Sequence, residues 1–60
     1  MRRYNENDRI VLIKEGDRNY NKHGFIESID EMIHVPMSIY YLKFDDGTKG
    51  YYFYGDLSHE

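Results

Sequence analysis

The chain has 60 residues, 8 of them basic and 11 acidic, for a net charge of −3, and it contains no cysteine. That length allows one domain, which buries only about 60% of the surface its unfolded form exposes, so the expected stability is modest, about 3–5 kcal/mol. The missing cysteine excludes disulfides and thiolate metal sites, and the weak acidity argues against non-specific nucleic-acid binding without excluding a local basic patch.

Residues 1–7 read as a flexible lead-in to a single domain spanning 8–58. Behind the arginines of Met1-Arg2-Arg3 there is no apolar segment, so the start does not read as a signal peptide. Arg9-Ile10-Val11-Leu12-Ile13-Lys14 is a short β-branched run bounded by charge and reads as a buried strand. Glu15 to His23 is a polar loop, long for so small a domain, and long loops are often functional. Gly24 to Ile29 is the second strand, and Asp30-Glu31 breaks it. Met32 to Val35 is open to two readings, an extension past a bulge or a loop. Pro36 excludes a central-strand position.

The densest signal follows. Seven tyrosines and three phenylalanines are present, and most lie in two aromatic-rich runs flanking Asp45-Asp46-Gly47-Thr48. Aromatic side chains suit a pleated, half-buried surface, and Asp-Gly between such runs is a strong hairpin signal. Tyr40–Phe44 and Lys49–Tyr54 are therefore expected to pair. Gly55 to Ser58 reads as a tight turn, 3₁₀ in character, leading to a short last strand or a frayed end. The expected core is Ile10, Leu12, Ile26, Ile29, Leu42, Phe44 and Leu57, with Tyr40 at one end. No run approaches the roughly 20 apolar residues of a membrane span, and a cytoplasmic protein is the default expectation.

Two hairpin registers are open. A two-residue turn at Asp46-Gly47 pairs Tyr40 with Phe53, placing Tyr51 and Phe53 inside and Tyr41, Tyr52 and Tyr54 outside. A type I turn at Asp45-Asp46 with Gly47 in a left-handed bulge pairs Tyr40 with Tyr52. Tyr52 and Tyr54 are then inner, and Tyr41, Tyr51 and Phe53 face out. A slip of one residue exchanges every side chain between faces.

Asn7-Asp8-Arg9-Ile10-Val11-Leu12 resembles the opening strand of SH3-like barrels of the KOW and Tudor kind. Lys22-His23-Gly24-Phe25-Ile26 resembles the start of their second strand, and Tyr40-x-Leu42-x-Phe44-Asp45-Asp46-Gly47, ending in Asp56-Leu57, resembles their hairpin and closing turn. The resemblance implies an all-β, SH3-like five-stranded antiparallel barrel. Asn7 stands where a glycine is usual, and the absence of tryptophan departs from SH3 domains that bind proline-rich peptides. In size and character the chain is also similar to small orphan proteins encoded by phages and prophages, which implies an accessory role modulating a host protein.

The residues offer three kinds of candidate site. Outward tyrosines, drawn from Tyr20, Tyr41, Tyr51 and Tyr52, form a candidate protein-binding surface, because tyrosine is enriched at binding hot spots. The alternative for those rings is a rim shielding a small core. The Arg18–His23 loop offers cations, a ring and amides, so that Arg18, Tyr20, Lys22 and Lys43 form a candidate nucleic-acid contact of the KOW kind. Glu15 and Asp17 oppose that field, and Arg2 and Arg3 would join it only diffusely. Catalysis has no support: His23, His34 and His59 lack ligand spacing, the serines lack a nucleophile context, and no glycine-rich phosphate loop occurs. The expectation is a non-enzymatic module, with no cofactor or metal, that engages a protein through its tyrosines and the Glu15–His23 loop.

Overall fold

The computed structural model describes residues 4–32, 34 and 37–60. Five antiparallel strands form one sheet: β1 (Arg9–Leu12), β2 (His23–Glu31), β3 (Ser38–Phe44), β4 (Lys49–Tyr52) and β5 (Leu57–His59). A 3₁₀ turn at Tyr54–Asp56 delivers the chain to β5. Strand order is β4-β3-β2-β1-β5, so β1 to β4 make a meander and β5 returns beside β1. Among the described residues no ladder joins β4 to β5. The sheet therefore keeps two edges rather than closing as a barrel.

One face carries the core. Ile10, Leu12, Ile26, Tyr40, Leu42, Phe44, Tyr52 and Leu57 are buried together, with Ile29 packed against them. Their alternation with outer residues follows from the two-residue period of a strand. Gly24 lies in the same row, opposite Ile10 on one side and Phe44 on the other. The neighbouring backbone closes on it so tightly that a Cβ there would sit 2.8 Å from the Phe44 Cα.

The strands depart from the sequence reading at several points. β1 stops at Leu12, because the Ile13 N–H turns to the Asp56 carbonyl at 2.8 Å and leaves its side chain half exposed. β2 runs on through Asp30 and Glu31, which pair with Ile39 and Ser38. Two acidic residues do not break a strand whose neighbour supplies a ladder. A bulge between Ile26 and Ser28 leaves Glu27 unpaired and shifts the register by one. The Met32–Val35 extension falls partly, and Pro36, Arg2 and Arg3 wholly, outside the described residues.

The lead-in expected over residues 1–7 supplies part of the core from its fourth residue. Tyr4 is 7% exposed, its ring meets Tyr40 edge-on with centroids 5.5 Å apart, and its hydroxyl donates to the Leu57 carbonyl at 3.1 Å. The Asn7 N–H donates to the Ile26 carbonyl at 2.7 Å. These ties place residues 4–7 within the folded unit.

The hairpin takes the bulged register as far as Tyr52, where β4 ends; Tyr54, expected inside in that register, lies exposed in the 3₁₀ turn. Gly47 has φ +91°, its N–H donates to the Phe44 carbonyl at 2.9 Å, and the Phe44 N–H donates to Thr48 at 2.8 Å. The Asp46 carboxylate closes the turn by accepting from the Thr48 N–H at 3.0 Å and hydroxyl at 2.6 Å. Tyr40 accordingly pairs with Tyr52, and Tyr41 with Tyr51.

Candidate functional site

That register decides which tyrosines are available. Tyr41 and Tyr51 are opposite one another on the face away from the core, with ring centroids 6.1 Å apart. They form a pair without mutual backbone hydrogen bonds, because the bonded pairs alternate along the ladder from Phe44–Thr48 to Leu42–Gly50 and Tyr40–Tyr52. Side chains of such pairs stand closer together, which brings these rings into contact. Tyr41 is 37% and Tyr51 68% exposed. Beside them lies a groove of about 290 Å³ lined by Glu27, Tyr41, Leu42, Lys49, Gly50 and Tyr51. Glu27, pushed out by the bulge, reaches the Lys49 ammonium at 3.4 Å.

Tyr52 does not belong to this surface. It is only 8% exposed, and its hydroxyl donates to the Asp17 carboxylate at 2.9 Å and accepts from the Asn19 amide at 3.1 Å. Burial pushes the Tyr52 hydroxyl above the usual tyrosine range. The Asn19 N–H bond holds Asp17 below the usual carboxylate range, with Tyr52 assisting. The 15–23 loop is thus pinned over the core by Asn19, a buried polar residue whose partners are Tyr52 and Asp17.

Tyr20 is exposed on that loop. Among the described residues no ring contact joins it to Tyr41 or Tyr51, so the expected aromatic surface is divided between the loop and the outer sheet face. The candidate cations are divided as well. Arg18 and Lys22 line a second groove, of about 360 Å³, with Asn19, Thr48 and Lys49. Lys43 instead sits on the outer face, directly opposite Lys49. Lys22 is engaged by Asp46 at 2.7 Å and by the Thr48 hydroxyl at 3.3 Å. The Lys22 ammonium, with Thr48, holds the Asp46 carboxyl far below its ordinary range.

A separate ionic cluster occupies the β1–β5 side. Arg9 grips Asp45 through both guanidinium nitrogens, at 2.9 and 2.8 Å, and also meets Glu60 at 2.8 Å, which His23 contacts at 2.9 Å. The Arg9 bonds lower the pKa of both carboxylates. No grouping of three side chains suited to a metal ion occurs among the described residues. No described helix is long and apolar enough to cross a membrane.

Sequence reasoning missed Glu27, Lys49 and Gly50 as partners of the two tyrosines. Lys49 and Gly50 follow once the register is known, whereas Glu27 depends on a bulge that nothing in Ile26-Glu27-Ser28 announces. Comparisons with models of known protein families, with curated proteins and with solved structures give no match.

Proposed function

We propose that this chain is a non-enzymatic binding module with an SH3-like architecture that engages a protein partner through Tyr41 and Tyr51. The observation that carries the reading is the exposed, mutually contacting Tyr41–Tyr51 pair on the non-core face of the sheet, beside an open groove. Tyrosine brings a large apolar surface with little rotamer entropy to lose, and its hydroxyl tolerates water before a partner arrives. The meander, the 3₁₀ turn and the return of β5 beside β1 support the SH3-like architecture. The resemblance to phage and prophage proteins extends the reading to a cytoplasmic accessory protein that modulates a host protein. Tyr20 and the 15–23 loop then act as a second contact on another side of the domain.

The test compares the wild-type chain with a Tyr41→Ser/Tyr51→Ser variant as bait in bacterial lysate. The variant is expected to keep its fold by circular dichroism and to lose a protein that the wild type retains. Equal retention by both baits removes the reading.

The groove formed by Arg18, Asn19, Lys22, Thr48 and Lys49 favours a second reading, contact with a nucleic-acid backbone. One of its three cations, Lys22, is already held by the Asp46 carboxylate at 2.7 Å. That neutralisation ranks it below the tyrosine surface. Binding of RNA or DNA that weakens steeply between two salt concentrations would reverse the ranking.

A further inference from the structure

β4 is an edge strand, and its outward backbone groups border the tyrosine pair. In the β3–β4 ladder the bonded residues of β4 are Gly50 and Tyr52, so the N–H and C=O groups of Lys49 and Tyr51 point away from β3. No hydrogen bond to either N–H occurs among the described residues. An edge of this kind is a template for another strand. The β5 edge is built differently: it has three residues, with His59 tilted against the Tyr4 ring at 4.6 Å and Glu60 tied to Arg9 and His23.

The side chains beside the β4 edge specify what would pair with it. Lys43 and Lys49 are directly opposite on the outer face, and like charges so placed repel. Lys43 has no carboxylate partner among the described residues, and the Lys49–Glu27 pair is long and exposed. One row along, Tyr41 and Tyr51 offer apolar faces. A strand added at this edge would set one side chain beside Lys49 and another, two residues away, beside Tyr51, both on the outer face.

We infer that the β4 edge takes an extended segment of the protein partner as an added strand, with an acidic residue at Lys43 and Lys49 and an apolar residue two positions away at Tyr41 and Tyr51. This rests on the tyrosine surface being the binding face and names the form of its ligand. Charge complementarity decides the occupant. An acidic segment relieves the lysine repulsion, whereas a second copy docked through its own β4 brings two more lysines to the same patch. The edge lysine thus admits one class of strand and resists others.

The probe is a displayed library of random linear octapeptides selected on the full chain. Enriched peptides are expected to carry an acidic and an apolar residue two positions apart. On binding, the Lys49 and Tyr51 amide protons should slow in exchange at least tenfold. Lys49→Pro removes an outward N–H without cutting the β3–β4 ladder, since proline is tolerated on an edge. It should weaken binding at least tenfold, and Lys49→Gln only several-fold. The exchange measurement on the wild type stands even where Lys49→Pro does not fold. Peptides that need Tyr41 and Tyr51 but leave both amides exchanging as in the free chain overturn the added strand and spare the tyrosine surface. Failure to enrich any peptide also overturns it, while the lysate comparison still decides the broader reading. Self-association abolished by Lys49→Pro would assign the edge to a second copy and overturn the inference.

Discussion

The Tyr52 hydroxyl and the Asp17 carboxylate meet at 2.9 Å, joining the end of β4 to the loop that follows β1 across 35 positions of sequence. The same hydroxyl accepts from buried Asn19, so one phenolic oxygen satisfies both residues that hold the loop in place.

Tyr52→Phe keeps the ring and removes both bonds, leaving the Asn19 amide without its acceptor. The expected loss is about 1–3 kcal/mol, the cost of a buried donor stranded and a charge-assisted bond removed. Urea denaturation measures the loss, and amide exchange should show residues 17–22 opening more readily than the strands. Asp17→Asn retains an acceptor oxygen for Tyr52, so it should cost less. An equal or larger loss for Asp17→Asn would mean that the carboxylate acts chiefly elsewhere.

Tyr4 makes a comparable demand from the other end of the chain. Its ring fills core volume against Tyr40, and truncating a large buried aromatic costs about 3–5 kcal/mol. Tyr4→Ala should therefore leave a large unfolded fraction at 25 °C. Tyr4→Phe, which keeps the ring and loses the bond to the Leu57 carbonyl, should remain folded with a loss of about 1 kcal/mol. Thermal melts of the two variants check both outcomes.

What could be read from the sequence follows how local each determinant is. Asp45-Asp46-Gly47-Thr48 announced its hairpin because the determinants of that turn lie within the four residues. Ile10, Leu12, Ile26, Leu42 and Phe44 announced the core because each lies in a short apolar or aromatic run bounded by polar residues. The face on which Tyr51 and Tyr52 stand depended on the φ of Asp46, which a two-residue turn needs positive and which is not left-handed here; Gly47 is left-handed in either turn. The burial of Tyr4 was not legible, because its hydroxyl partner Leu57 lies 53 positions away. Nor was the place of Asn19, whose polarity marks a loop residue until the Tyr52 hydroxyl is known to reach it. The candidate site was half legible for the same reason. Tyr41 faced outward in either register, but Glu27 and Lys49 join it only through a bulge and a ladder.

Acid should weaken the fold in a defined way. Asp46, Asp45, Asp17 and Glu60 all have lowered pKa values in the folded chain, with Lys22 and Thr48 acting on Asp46 and Arg9 on Asp45 and Glu60. A carboxylate lowered by folding stabilises the fold above its unfolded pKa, about 4, and loses that contribution as pH falls toward the folded value. The urea midpoint should decline from about pH 4 downward. Asp46→Asn should flatten that decline, because it removes the most strongly lowered group. These pairs are solvent-exposed, so 1 M salt should flatten it further. A midpoint that falls as steeply in Asp46→Asn as in the wild type would show that the turn carboxylate is not coupled to folding.

The three glycines that lack a left-handed φ make a graded series. At Gly24 an added Cβ meets main chain only, the Lys43 carbonyl and the Phe44 Cα, and neither rotates aside. Gly24→Ala should cost about 3 kcal/mol or slightly more, the upper end for forcing extra volume into a packed site. At Gly50 the obstacle is a side chain, the Tyr52 ring at 2.8 Å, which has some freedom to tilt but is anchored by Asp17 and Asn19. Gly50→Ala should cost less than Gly24→Ala, and part of its cost should disappear in a Tyr52→Phe background, where the ring is released. At Gly55 nothing lies within 4 Å of an added Cβ, and Gly55→Ala should be neutral within about 0.5 kcal/mol. Urea midpoints of the three variants, with Gly50→Ala repeated in Tyr52→Phe, test the series. An additive Gly50→Ala/Tyr52→Phe pair would show that the hydroxyl anchor does not hold the ring over β4.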